Sequence, residues 1–141
     1  MFESALEVIS QLQLEASSYP LGVQAWMKLM AISFLLSILF VYSKSGARWV
    51  LVAFIANILG LIVGKMLFPE WTRAEIGTHV HLLAWPIILW MIWRPGSRPQ
   101  IAFSGKGLLS GAYLVWLIWA GSLMLISLIL DLRFFSSLVF I

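Results

Sequence analysis

The sequence predicts an all-α, polytopic membrane protein: four transmembrane helices in an up-down bundle, preceded by an N-terminal amphipathic helix. Three observations carry that expectation. Hydrophobic residues fill 62% of the 141 positions and charged residues only 11%, less than half the charged share of an ordinary soluble domain. Four apolar stretches, at residues 23–43, 48–68, 73–93 and 107–131, each approach the ~20 residues that a helix needs to cross ~30 Å of hydrocarbon. The basic residues of the connections gather in two loops that carry no acid, Lys44 and Arg48 in one and Arg94, Arg98 and Lys106 in the other. Residues 1–141 form a single membrane domain on this reading.

Residues 1–18 read as the amphipathic helix, with Phe2, Ala5, Leu6, Ile9 and Leu12 at helical spacing and Glu3, Glu7 and Ser10 opposite. It holds three acids and no base, so anionic lipid does not attract it. Packing on protein suits it better, either on its own bundle or on a partner subunit. Pro20 and Gly22 end it. The first span begins too far into the chain, and without the basic n-region and small-residue cleavage site, to be a removable signal peptide.

Spans one and two are joined by the short Ser43-Lys44-Ser45-Gly46 turn, which makes them antiparallel neighbours. In span two, Ala53, Asn57, Gly60 and Gly64 share one face, where small residues permit close backbone approach. Ser33 and Ser37 of span one, and Gly107, Gly111, Gly121 and Ser122 of span four, repeat the device. Thr72 and Glu75 form a Thr-x-x-Glu capping box, with Trp71 and Ile76 as its hydrophobic staple, so helix three starts at Arg73. Pro86 lies in mid-span and predicts a kink unless neighbours compensate. The connection from Arg94 to Gly107 contains Pro95 and Pro99 and lacks the spacing of a phosphate-binding loop. Beyond Asp131, residues 132–141 form an apolar tail too short to cross on its own, which either extends span four or lies at the interface.

All six acids (Glu3, Glu7, Glu15, Glu70, Glu75 and Asp131) fall on the side opposite the two basic loops. Five of the nine basic residues lie in those loops, and Lys28 and Lys65 stand at span ends where they can snorkel. Both termini are therefore predicted to face the periplasm. Among the eight tryptophans, Trp26, Trp49, Trp71 and Trp93 fall at span ends, as interfacial indoles do. Trp85, Trp90, Trp116 and Trp119 lie inside spans.

The chain has no cysteine, which excludes disulfides, thiolate nucleophiles and Cys-ligated metal. Its two histidines, His79 and His81, diverge by ~200° around the helix and cannot readily chelate one metal. His79 shares a face with Glu75, so Arg73, Glu75 and His79 read as a polar cluster at the rim in which His79 pairs with the Glu75 carboxylate. His81 lies ~12 Å into the span, on a face with Gly77, Thr78, Ala84 and Trp85. An ionisable group at that depth is a functional candidate, and desolvation favours its neutral form. Asn57 is the other deep polar side chain. His81, Asn57, Thr78 and Trp85 are thus the candidate binding residues, with an interhelical hydrogen bond as the purely structural alternative.

Several function classes follow. The preferred one is a small non-enzymatic subunit or scaffold of the lipid bilayer, packed in a homo-oligomer or with other membrane subunits. An oligomeric channel or transporter is an alternative, because Ser33, Ser37, Asn57, Thr78 and His81 line too little of a path for one protomer. A redox anchor with haem or quinone near His81 is another. The sequence requires no cofactor; haem b would need His81 with its copy, Met30 or Met124 as the second ligand. No nucleophile–base pair is evident and the acids gather at the rim, which argues against an enzyme. Nothing suggests nucleic acid. From Pro20 to Arg94, the elements Ala47-Arg48-Trp49-Val50, Asn57, Arg73 through Gly77 to His81, and Trp85-Pro86 resemble small four-helix bacterial inner-membrane proteins. That resemblance implies a bacterial inner membrane and supplies no activity.

Overall fold

The computed structural model describes residues 4–94 and 108–139, and every described element is helical. Helix α1 spans Ala5–Ser17, α2 Leu21–Leu35, α3 Ser45–Leu67, α4 Arg73–Trp93 and α5 Leu108–Val139, with a short 3-10 turn over Leu36–Leu39 continuing α2. Four of these segments are long and apolar enough to cross a membrane: Leu21–Leu39, Ser45–Leu67, Arg73–Trp93 and Gly111–Ser137. Their outward faces carry Ile32, Val52, Ile55, Val63, Leu83, Ile87, Val115 and Ile129, all exposed. So much exposed apolar surface is foreign to a water-soluble monomer. Phe2, and the connection with Pro95, Arg98, Pro99, Lys106 and Gly107, lie outside the described residues.

Small residues bring α3 and α4 together. A Cβ added at Gly60 would sit 2.6 Å from Val80 Cγ2, and one at Gly64 2.5 Å from Ile76 Cγ2, so these two positions admit branched side chains of α4 only because they have none of their own. The pairings 60 with 80 and 64 with 76 make the two helices antiparallel. Gly46 does the same for α5, where a Cβ would collide with the Tyr113 hydroxyl. Thr72 caps α4 as the capping box requires, its Oγ1 accepting from Glu75 N–H at 3.2 Å while Glu75 Oε2 accepts from Thr72 N–H at 2.7 Å. The α4 helix runs unbroken through Pro86 to Trp93.

Several boundaries and contacts differ from the sequence expectation. Of the two courses open to the tail, it extends span four: α5 continues past residue 131 to Val139, because Leu132, Phe134 and Phe135 keep the apolar period beyond the charges; at ~1.5 Å per residue it is ~48 Å long. Span one ends in a 3-10 turn, and α3 begins at Ser45, where Arg48 returns hydrogen bonds to the carbonyls of Val41 at 2.7 Å and Tyr42 at 2.9 Å. On α1, the buried stripe is Val8 and Leu12, whereas Leu6 is 76% exposed. Glu15, one turn beyond Leu12, decides that face. Its carboxylate reaches Lys65 Nζ at 2.7 Å and the Arg73 N–H at 2.5 Å. Lys65 accordingly does not snorkel to water; it is 4% exposed, and it also donates to the Trp71 carbonyl at 2.6 Å.

Two apolar clusters result. Val8, Leu12, Leu61 and Ile76 pack beneath α1. The larger cluster, including Met30, Phe34, Ala53, Trp85, Ile88, Leu117 and Met124, fills the opposite half of the helices. Along α3 the order is Ala53, Asn57, Leu61, and along α4 it is Ile76, His81, Trp85, so the deep polar residues lie between the two clusters.

Candidate functional site

His81 projects from α4 toward α3 and α5 and is held on both ring nitrogens. Its Nδ1 lies 2.7 Å from Asp131 Oδ2, and its Nε2 lies 2.9 Å from Asn57 Oδ1. Thr78 Oγ1 donates to Asp131 Oδ1 at 3.4 Å, and Ser127 Oγ to Asp131 Oδ2 at 3.5 Å. The imidazole stacks on Trp85, one turn along α4, with centroids 3.8 Å apart and planes 25° from parallel. Three helices thus converge on one ring, and the spacing explains why: Thr78, His81 and Trp85 occupy one face of α4, while Ser127 and Asp131 stand one turn apart on α5.

Both ring nitrogens face oxygen. An imidazole that carries protons on both nitrogens satisfies this arrangement, donating to the Asp131 carboxylate and to the Asn57 carbonyl. The charge is then balanced by Asp131 and lies over the face of Trp85, a favourable place for a cation. Reversing the Asn57 amide gives the second solution, in which a neutral ring donates to Asp131 and accepts from Asn57. The interhelical hydrogen bonds expected as the structural alternative are thus present, and one of them is to a carboxylate.

This network forms part of the wall of a cavity of about 750 Å³, within the range of small-molecule sites. Asn57, Thr78, His81, Trp85, Ser127 and Asp131 all line it, as do Tyr19, Arg73, Met30, Phe34 and Phe54. α2 is held most firmly in its C-terminal half. Trp116 Nε1–H donates to the Ser33 carbonyl at 2.7 Å and Trp119 Nε1–H to Ser33 Oγ at 3.0 Å, and the buried residues of α2 are Met30, Ser33 and Phe34. The half from Leu21 to Leu29 has no fully buried residue, although Trp26 packs against the larger cluster. Val23, Ile58, Leu130 and Phe134, all exposed, line the cavity and mark its margin on the apolar flank.

Two polar groups of lining residues have no hydrogen-bond partner among the described residues: the buried indole N–H of Trp85 and the buried hydroxyl of Tyr19. Burial, with the neighbouring Glu15 carboxylate, raises the Tyr19 phenol above its ordinary value of 10.0, so it keeps its proton and remains a donor. Burial would also raise the Glu15 carboxyl, but the hydrogen bonds from Lys65 and the Arg73 N–H, together with the Lys65 charge, outweigh it and hold the carboxyl below its ordinary 4.5.

The four candidate binding residues, His81, Asn57, Thr78 and Trp85, are thus brought together. The rim trio is not. Arg73 turns toward α1, donating from Nη1 to the Leu12 carbonyl at 3.1 Å. Glu75 is spent on the capping box, so His79 pairs instead with the Glu75 backbone carbonyl, to which Nδ1–H donates at 2.7 Å, and its ring packs on Trp71 and Phe135. Asp131 is the principal residue that sequence reasoning placed wrongly, at the rim instead of against His81. The available signal was the spacing of Ser127 and Asp131 together with the apolar residues that follow them. Of the two methionines considered as haem ligands, Met30 lines the cavity and Met124 is enclosed in the larger cluster. With both nitrogens of His81 hydrogen-bonded to side chains, the ring directs no free lone pair at an iron, and the geometry does not suit an axial haem ligand. Among the described residues no three His, Asp or Glu side chains gather as a metal site.

No protein-family model, no curated protein and no solved structure matches the chain.

Proposed function

We propose that this protein is an integral protein of the bacterial inner membrane, with both termini on the periplasmic side, that binds a lipid-soluble ligand with a polar head in the cavity beside His81. It does so as a small binding subunit without catalytic chemistry of its own. The observation that carries this reading is the His81–Asp131 pair, with Asn57 on the second ring nitrogen, on the wall of a cavity that borders the apolar flank. A helix-packing role does not call for such a pair, since buried ion pairs replaced by well-packed apolar residues often leave a protein as stable or more so. Ionisable groups at this depth are expensive and mark functional positions.

A binding role is favoured over conduction by what lies beyond the network. Toward the basic loops the cavity ends on Phe34 and Trp85, behind which the larger apolar cluster is packed. A solute path through one protomer would have to cross that cluster. The test is native mass spectrometry of the full chain released from mild detergent. Wild-type protein is expected to retain a small-molecule adduct that His81→Phe and Asp131→Asn lose; wild-type protein that carries no adduct and takes up no added lipid-soluble probe overturns the proposal.

A further inference from the structure

Resting on that reading, the geometry points to the ligand class: we propose that the cavity takes an anionic single-chain lipid, with its carboxylate or phosphate on the Arg73 guanidinium and its chain running inward toward His81. Arg73, Gly77 and His81 stand at successive turns on one face of α4 and all line the cavity. Arg73 thus lies ~12 Å from His81 along the helix, at the end nearer α1. It is partly buried, and the protein uses one of the five guanidinium N–H groups, the Nη1 donor to the Leu12 carbonyl at 3.1 Å. Its charge also reaches the phenol of Tyr19, another lining residue, where it opposes the rise caused by burial and by Glu15. Among the described residues no carboxylate pairs with this guanidinium. Glu15 is taken by Lys65 and by the Arg73 backbone N–H, and Glu75 by Thr72. Lys28 and Arg133, exposed sequence neighbours of the lining residues Met27 and Phe134, also have no ion pair among the described residues.

A cation beside an apolar space is costly without a counter-charge, and a carboxylate or phosphate meets the planar guanidinium fork with two parallel hydrogen bonds. The deep end of the cavity gives such a head nothing, since Asp131, the one acid among the described lining residues, has no N–H to offer. The head therefore belongs at Arg73 and the chain points inward. Along that course the accessible wall is apolar: Val23 and Met27 of α2, Ile58 of α3 and Leu130 of α5 line it, with Val23, Ile58 and Leu130 exposed. A flexible alkyl chain follows such an irregular wall, to which the methionine adapts. A chain longer than the distance to His81 leaves past Leu130 and Phe134 on the apolar flank, where both are exposed.

Photolabelling tests it. The full chain in phosphatidylcholine nanodiscs is exposed to a palmitate analogue with a diazirine in mid-chain, and labelled peptides are mapped with palmitate, lysophosphatidic acid, hexadecanol or inorganic phosphate as competitor. Saturable labelling around residues 23–27 and 58 is expected, displaced by palmitate or lysophosphatidic acid, about tenfold less well by hexadecanol, and not by inorganic phosphate. The better of the two anionic lipids identifies the head as carboxylate or phosphate. Arg73→Gln should weaken displacement by that lipid about tenfold, and Arg73→Lys, which keeps the charge and loses the fork, about threefold. Should loss of the Leu12 contact prevent Arg73→Gln from folding, the comparison of hexadecanol with the anionic lipids on wild-type protein decides alone. Equal displacement by hexadecanol, or equal displacement in wild type and Arg73→Gln, overturns the anionic head and leaves the lipid-soluble-ligand reading standing. Displacement by inorganic phosphate overturns the part assigned to the chain. Absence of saturable labelling overturns this inference, and absence of any retained adduct as well overturns both.

Discussion

His81 and Asp131 depend on each other in a way that single substitutions should expose. Removing one partner of a partly buried ionisable pair leaves the other without its hydrogen-bond partner, whereas removing both leaves none unmatched. Asp131→Leu and His81→Phe are each expected to destabilise the protein by about 3 kcal/mol. The double variant should cost much less than the sum of the two, as read from unfolding in detergent micelles through a double-mutant cycle. Additive losses would show that the two side chains do not act as a pair. Half of this site is legible in the sequence. The depth of His81 and the packing face of Asn57 follow from helical period, which is a local property. Asp131 escapes, because its partner lies 50 residues away on another helix, and local hydropathy treats a carboxylate followed by Arg133 as the end of a span.

At the level of helices, close packing and charge pairing make separate predictions. Gly60→Ala and Gly64→Ala should each destabilise the α3–α4 contact by about 1–3 kcal/mol, since the new Cβ would overlap Val80 or Ile76. Gly111→Ala, where a Cβ meets nothing within 4 Å, should be neutral or mildly stabilising. Thermal unfolding in detergent compares the three, and equal effects would remove the packing argument. α1 is fastened instead by Glu15, whose carboxyl is held below 4.5 in the folded protein. A group with a lowered folded value contributes stability that is complete above 4.5 and lost as the pH falls through the folded value. The melting temperature of the wild type should therefore drop on acidification below 4.5, and Glu15→Gln should show a shallower drop; identical pH profiles would disprove the role of this contact. The capping box of α4 and the small-residue face of α3 can be read directly from sequence, because each is set by spacing within one helix. The stripe of α1 cannot, because Glu15 is drawn inward by Lys65 and the Arg73 N–H, partners that no α1 periodicity reveals.

For the whole molecule, the two basic connections and the acidic side define an orientation that is open to direct test. The absence of cysteine makes introduced thiols unambiguous reporters. Ser10→Cys on α1 should react with an impermeant maleimide in intact spheroplasts, and Ser43→Cys in the turn before α3 only after lysis; both positions are exposed. The reverse pattern would place both termini in the cytoplasm. Lys44 refines the charge argument, since it is 7% exposed and lies over the Tyr113 ring at 5.5 Å. It is therefore part of the packing at that end as well as one of the basic residues on which the orientation proposal rests.

The attachment of α1 also orders events in time. Synthesis proceeds from the N-terminus, yet the partners of Glu15 lie 50 residues later at Lys65 and 58 residues later at the Arg73 N–H. α1 thus leaves the ribosome before either partner of Glu15 exists, and this contact forms only once α3 is complete and α4 has begun. The ion pair that fastens α1 therefore closes over a stretch of chain that already includes α2 and α3.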